Sequence, residues 1–157
     1  MANVASLGLG VMDFPMAGWL ARKGHAVTVF NRTAAKAERW CTQYQGKTAA
    51  SPADAARGAE IVFSCVGDDP DLREIALGAG GVIGAMRAGA IYVDHTTASA
   101  DIARDIAAAG KKRGVHCLDA PVSGGQAGAE NGKLTVMVGG DAEPFGAAEP
   151  VIRSFAQ

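Results

Sequence analysis

The sequence predicts an α/β fold, a doubly wound and mostly parallel sheet with helices on both faces. Short apolar, β-branched runs alternate along the chain with stretches whose apolar residues recur at helical spacing, the signature of repeated βαβ units. Glycines, 21 in all, gather where those runs end, at Gly8, Gly10, Gly67, Gly124 and Gly125. The 157 residues, 48% of them apolar, suffice for one such domain with its own core. No internal repeat or low-complexity linker divides the chain, so residues 1–157 read as one unit.

In order, Val4–Leu7 is a short apolar run ending in Gly-Leu-Gly, suited to a buried first strand. Residues 14–23 place Phe14, Ala17, Leu20 and Ala21 on one helical face. Ala26–Phe30 is the second strand, and Thr33 is positioned to cap a helix running through Tyr44. Ser51-Pro52 starts a helix to Ala56, with proline at the first helical position. Ile61–Val66 is a further buried strand, followed by a helix around Asp71–Leu77. The Ala/Gly-rich stretch Gly78–Gly89 reads as a flexible surface connection. Ile91–Asp94 is a strand, and Ser99 opens a helix to Arg113, whose terminal Lys111–Arg113 suits the negative end of the helix dipole. Strands Val115–Ala120 and Leu134–Val138 and a helix from about Asp141 complete the pattern.

Composition narrows the function. The formal charge is −1 with basic residues scattered, which argues against nucleic-acid binding. No segment has the pattern of a signal peptide or is long enough to span a bilayer, so a cytoplasmic protein is expected. Cys41, Cys65 and Cys117 match no zinc spacing, and an odd count argues against a disulfide framework. Cys65 and Cys117 lie inside apolar runs and are expected as packed thiols.

Gly8-Leu9-Gly10-Val11-Met12-Asp13 follows the first strand and opens the first helix, the context in which a glycine fingerprint signals dinucleotide binding. Gly8 permits the tight turn. Gly10 lets backbone approach a pyrophosphate seated on the helix N-terminus. Asp13 stands where a third glycine would allow close helix–strand packing. It either turns outward to solvent as a cap or places a negative charge against the pyrophosphate. The second strand ends in Asn31-Arg32-Thr33, with Lys36 one turn on. Asn31 removes the acid that usually binds a ribose 2′-hydroxyl, and Arg32 supplies a forked donor for a 2′-phosphate. NADP is therefore favoured over NAD.

Gly-Leu-Gly-Val-Met-x-x-Pro-Met-Ala from Gly8 to Ala17 resembles the opening of the β-hydroxyacid dehydrogenases, the family of 3-hydroxyisobutyrate dehydrogenase, tartronate semialdehyde reductase and the glyoxylate/succinic semialdehyde reductases, with 6-phosphogluconate dehydrogenase more distant. Asp119-Ala-Pro-Val-Ser-Gly-Gly-Gln-Ala-Gly-Ala129, followed by Gly132-Lys133-Leu134-Thr135, is similar to the family's substrate-binding signature, and the resemblance covers the whole chain. It implies a Rossmann-type fold and an NADP-dependent oxidoreductase of small β-hydroxyacids or their semialdehydes. It adds Val66-Gly67-Asp68 and Thr96 to the cofactor platform, and makes Ser123 with the Gly124 and Gly125 N–H groups the anchor for a small carboxylate substrate. The family's catalytic lysine lies in a segment beyond this domain. No catalytic residue is therefore expected before Gln157, and the chain alone is expected to be inactive. The family's all-helical C-terminal domain also lies past that point, and the full-length protein is expected to be a homo-oligomer.

Other side chains compete for roles. Lys133, the lysine nearest the anchor, is expected on the surface at a strand start; His95 is expected to be packed and hydrogen-bonded; Asp119 is expected to secure the loop. His25 and His116 sit at strand starts, on the wrong edge of the sheet for catalysis. Two other functions remain open: an imine reductase, against which Ser-Gly-Gly argues, and a non-catalytic dinucleotide-binding scaffold, which Asp13 favours.

Overall fold

The computed structural model describes residues 1–157. In chain order the elements are β1 (Asn3–Leu7), α1 (Asp13–Arg22), β2 (Ala26–Phe30), α2 (Ala34–Gln43), β3 (Lys47–Thr48), α3 (Pro52–Ala56), β4 (Ile61–Ser64), α4 (Asp69–Leu77), β5 (Ile91–Asp94), α5 (Ala100–Lys112), β6 (His116–Asp119), β7 (Val122–Ser123), α6 (Gly125–Glu130), β8 (Thr135–Val136) and α7 (Ala142–Ile152). Six parallel strands form one sheet in the order β3-β2-β1-β4-β5-β6. This is the Rossmann order, with the reversal of winding beside β1.

Alternation along the strands builds a core on each face. Val4 of β1 packs into a cluster of 21 buried residues with Met16, Ala17 and Leu20 of α1, Trp40 of α2, and Val151 and Ile152 of α7. The next residue, Ala5, points to the opposite cluster of 17, with Leu72 and Ile75 of α4 and Ile102 and Ile106 of α5. Helix starts follow local chemistry. Ser51 accepts from the Asp54 N–H, Asp68 from that of Asp71 and Ser99 from that of Ile102. Lys111 and Lys112 occupy the last turn of α5.

Several expectations are corrected. Thr33 holds the N-cap position of α2 but makes no side-chain capping bond. The segment Gly78–Gly89 is not a loose connection, because Val82, Ile83 and Met86 are buried in the second core. Leu134–Val138 does not join the parallel sheet; only Thr135–Val136 is strand, paired antiparallel with β7 in a separate two-stranded sheet. The edge strand β3, the strand β7 and the short helix α6 were not expected at all.

Trp40 is fully buried between α2 and the sheet, and its Nε1–H donates to the Phe14 carbonyl at 3.3 Å. Trp40→Ala should lower stability by roughly 3–5 kcal/mol, the range for truncating a buried aromatic. Urea unfolding should show a lower midpoint at unchanged slope.

Candidate functional site

The six parallel strands end on one edge, where sheets of this type take ligands. Across that edge lie Asn31–Thr33 after β2, the Gly8–Met12 turn after β1, Cys65–Asp68 after β4, His95–Thr96 after β5 and Ala120–Ser123 after β6.

The turn is held from both sides. Gly8 has φ +95°, and a Cβ there would lie 2.4 Å from the Cys65 carbonyl oxygen, so only glycine fits. Nothing in the chain closes on a Cβ at Gly10 nearer than 3.8 Å; that position is open. The Gly8 N–H donates to the Phe30 carbonyl, and the Leu9 N–H to Asn31 Oδ1 at 2.9 Å. Asn31 Nδ2 in turn donates to the Thr33 carbonyl at 3.0 Å. Asn31 thus clips the turn to the end of β2. The N–H groups of Val11 and Met12 make no backbone hydrogen bond and sit at the positive end of the ten-residue α1.

A cleft of about 790 Å³ opens over the turn. Gly8, Leu9, Gly10, Val11, Met12, Asn31, Arg32, Thr33, Lys36, Val66 and Gly67 line it together. Asp68 and Thr96 do not. Asp68 spends its carboxylate capping α4. Thr96 is buried and supports the cleft from beneath, its hydroxyl accepting the Val66 N–H at 3.0 Å. The sequence reading missed the far wall, formed by Ser51, Pro52, Asp71, Glu74, Ile75 and Gly78–Gly80. Asp71 and Ile75 lie four residues apart on one face of α4, and Gly78 follows as its C-cap. The guanidinium of Arg32 reaches across the mouth and donates to Asp71 Oδ1 at 2.7 Å.

Ser123, Gly124 and Gly125 lie outside this cleft, exposed at the end of β7. Gly124 (φ +130°) and Gly125 (φ +62°) adopt backbone that favours glycine, and their N–H groups have no backbone partner. Trp19 of α1 holds the following helix, its Nε1–H donating to the Ala129 carbonyl at 3.1 Å.

Asp13 does not turn out to solvent. It is buried, and its Oδ2 lies 3.0 Å from where a Cβ on Gly8 would be, directly beneath the turn. Burial raises its carboxyl from 3.8 to about 7, with nearby Asp94 adding to the rise and the Cys65 thiol and Gly10 backbone offsetting part of it. The Cys65 thiol is pushed far up, first by burial and then by Asp13, and is no nucleophile. His95 is packed as expected, with Nδ1 2.6 Å from the Ala120 carbonyl oxygen, and burial lowers its ring to about 4. Asp119 secures its loop through backbone, not carboxylate: its N–H and C=O pair with those of Gly139. Lys133 is exposed just before β8. His25 Nδ1 accepts the Ala2 N–H at the opposite edge of the sheet, and His116 is exposed there. No group of three or more His, Cys, Asp and Glu side chains is placed to hold a metal ion, and no helix is long and apolar enough to cross a membrane.

Residues 3–157 match the family described as the NAD binding domain of 6-phosphogluconate dehydrogenase. An oxidoreductase of Shewanella frigidimarina, named as uncharacterized, is 60% identical over the whole chain, which spans 54% of that relative. Among solved structures, 3-hydroxyisobutyrate dehydrogenase of Mycobacterium tuberculosis with L-serine superposes with a TM-score of 0.92 at 32% identity, over 99% of this chain and 52% of that one. Psf3 in complex with NADP+ and 2-OPP gives a TM-score of 0.92 at 28% identity, over 98% of this chain and 54% of that one. The chain spans about half the length of the curated relatives it matches.

Asp13 should govern a distinct pH response. Between 3.8 and about 7 the folded carboxyl keeps a proton that the unfolded one has lost, so its contribution makes stability fall as pH rises. His95 acts oppositely between about 4 and 6.5, where the unfolded ring holds the extra proton. Replacing Asp13 by Asn removes the first effect and keeps the second. Urea unfolding should show Asp13→Asn gaining stability relative to the parent from about pH 4 to about 7, then a constant difference. A difference independent of pH would put the Asp13 carboxyl in its ordinary range.

Proposed function

The chain belongs to the family of the NAD binding domain of 6-phosphogluconate dehydrogenase, and from that membership we propose that residues 1–157 are the cofactor domain of a cytoplasmic, NADP-dependent oxidoreductase acting on small β-hydroxyacids or their semialdehydes. The observation that carries this reading is Arg32, exposed at the end of β2 on the same cleft as the Gly8–Met12 turn, with the uncharged Asn31 where an NAD site usually offers an acid. Three unpaired thiols suit a reducing compartment.

The residues present fit a dinucleotide. The Val11 and Met12 N–H groups receive the pyrophosphate at the start of α1. Arg32 and Lys36, with the Thr33 hydroxyl, meet the 2′-phosphate at the β2 side. Val66 and Gly67 line the same cleft, and Thr96 fixes Val66 from below. Bound NADPH supplies hydride to a substrate carbonyl, or NADP+ removes it from the alcohol. Beyond β6, the Ser123 hydroxyl and the Gly124 and Gly125 N–H groups anchor the substrate carboxylate. His95 is buried and its ring gives up its proton near 4, so it does not serve as the acid. The proton donor is assigned, as the family resemblance implies, to a lysine beyond these residues.

Asp71 sets a condition on this reading, because a 2′-phosphate must draw Arg32 away from it. Isothermal titration of the chain should show NADPH binding tighter than NADH, and Arg32→Ala should erase most of that preference. Asp71→Asn should tighten NADPH a few-fold and leave NADH unchanged, as expected for releasing an exposed ion pair. Equal affinity for both cofactors in the parent would overturn the NADP assignment.

Turnover gives a second test. The 157-residue chain should bind NADPH yet reduce glyoxylate and succinic semialdehyde negligibly, since an absent general acid alone costs about 10²–10⁴-fold. Robust turnover would show that a residue such as Lys133 donates the proton.

A further inference from the structure

Two buried side-chain polar atoms lack a hydrogen-bond partner in this chain, Oδ1 of Asp13 and Nε2 of His95. Both residues line one small cavity beneath the dinucleotide turn, together with Ser6, Phe63, Cys65 and Phe155. Its volume is about 10 Å³, room for a single water and nothing larger.

The chemistry of the two atoms is complementary to water. The Ala120 carbonyl, 2.6 Å from His95 Nδ1, can only accept, so Nδ1 carries the hydrogen and Nε2 is a bare acceptor. The ring is held in that orientation, stacked on Phe63 at 5.7 Å and met edge-on by Phe155 at 5.5 Å. No cationic side chain lines the cavity; the Asp94 carboxylate is near Asp13, and the Cys65 thiol and the Gly10 backbone are its polar neighbours. No trio of ligating side chains marks it as a metal site.

We infer that the cavity holds one ordered water that donates to His95 Nε2 and bridges to Asp13 Oδ1, joining the first residue of α1 to the residue that follows β5. Water suits either state of the acid, accepting from the carboxylic acid or donating to the carboxylate. Through the Nδ1–H bond to the Ala120 carbonyl the bridge reaches the residue that follows β6, three positions before Ser123. Asp13 and His95 are positioning residues in this arrangement. The inference stands on the cavity and its two orphaned atoms, and is independent of which cofactor the cleft takes.

The test is water-selective NOE and ROE spectroscopy on the isotopically labelled 157-residue chain, with long-range 15N–1H spectra of the imidazoles. The expected result is a cross-peak between His95 Hε1 and a water whose residence outlasts molecular tumbling, with His95 as the neutral Nδ1–H tautomer. Asp13→Asn, whose amide can hold the same water, should keep the cross-peak. Asp13→Leu, similar in size but apolar, should abolish it while the amide spectrum stays folded. Absence of the cross-peak in the parent, or its survival unchanged in Asp13→Leu, would overturn the bridge. Should Asp13→Leu fail to fold, an atomic-resolution crystal structure of the parent decides. Density for water within hydrogen-bond distance of both atoms supports the inference, and a dry cavity or a direct Asp13–His95 contact overturns it.

Discussion

At the centre of the sheet, the backbone at Gly8 passes so close to the carbonyl of Cys65 that no side chain can stand between them. That contact lets β1 end against β4 and turn at once into α1. It places the first N–H groups of the helix at the mouth of the cleft and leaves Gly10 open above them. The neighbouring strands take their functional places from it. Asn31 reaches the turn from β2 through Leu9, and Thr96 supports Val66 from β5. A parallel sheet with its winding reversed beside β1 brings residues far apart in sequence to one edge, but this single approach of backbone to backbone shapes that edge into a cradle.

Much of this was legible in the residues, for reasons that differ by element. Ala26–Phe30 alternates cleanly and its bounds agree with the structure, and Ser51-Pro52 and Ser99 announce their helices through capping chemistry that acts within a few residues. The strands β3, β7 and β8 have two residues each, too few to carry a period, and they exist because neighbouring chain is held beside them. Helix α6, Gly-Gln-Ala-Gly-Ala-Glu, buries only Ala129 and so shows no apolar stripe. In the cleft, the wall contributed by β1 and β2 could be read from short motifs. The wall contributed by α4 could not, because Asp71 and Ile75 acquire their meaning only when α4 folds against the opposite face.

Asp13 marks where local reasoning reached its limit. An acid in the first turn of a helix is ordinarily at home at the surface, held by the dipole. Here the first turn of α1 rotates that position under the glycine turn, where desolvation outweighs the dipole and the carboxyl retains its proton to about 7. A neutral acid beneath the turn repels a pyrophosphate far less than a carboxylate would. The same residue type is therefore tolerable or obstructive according to a proton, and only packing on the surrounding strands decides which.

The Asn31 clip ties molecular recognition to the folding of the turn. Its amide works in both directions, accepting from Leu9 and donating to Thr33. An aspartate in its place could still accept, but it would face the Thr33 carbonyl oxygen with lone pairs where a donor had been. Asn31, which in the proposed reading stands where an NAD site offers an acid, is thus also a fastener of the scaffold. Replacing Asn31 by an acid to suit a ribose hydroxyl would therefore also remove a hydrogen bond that the start of α2 receives, so a change at this one position acts on the scaffold and on the cleft together.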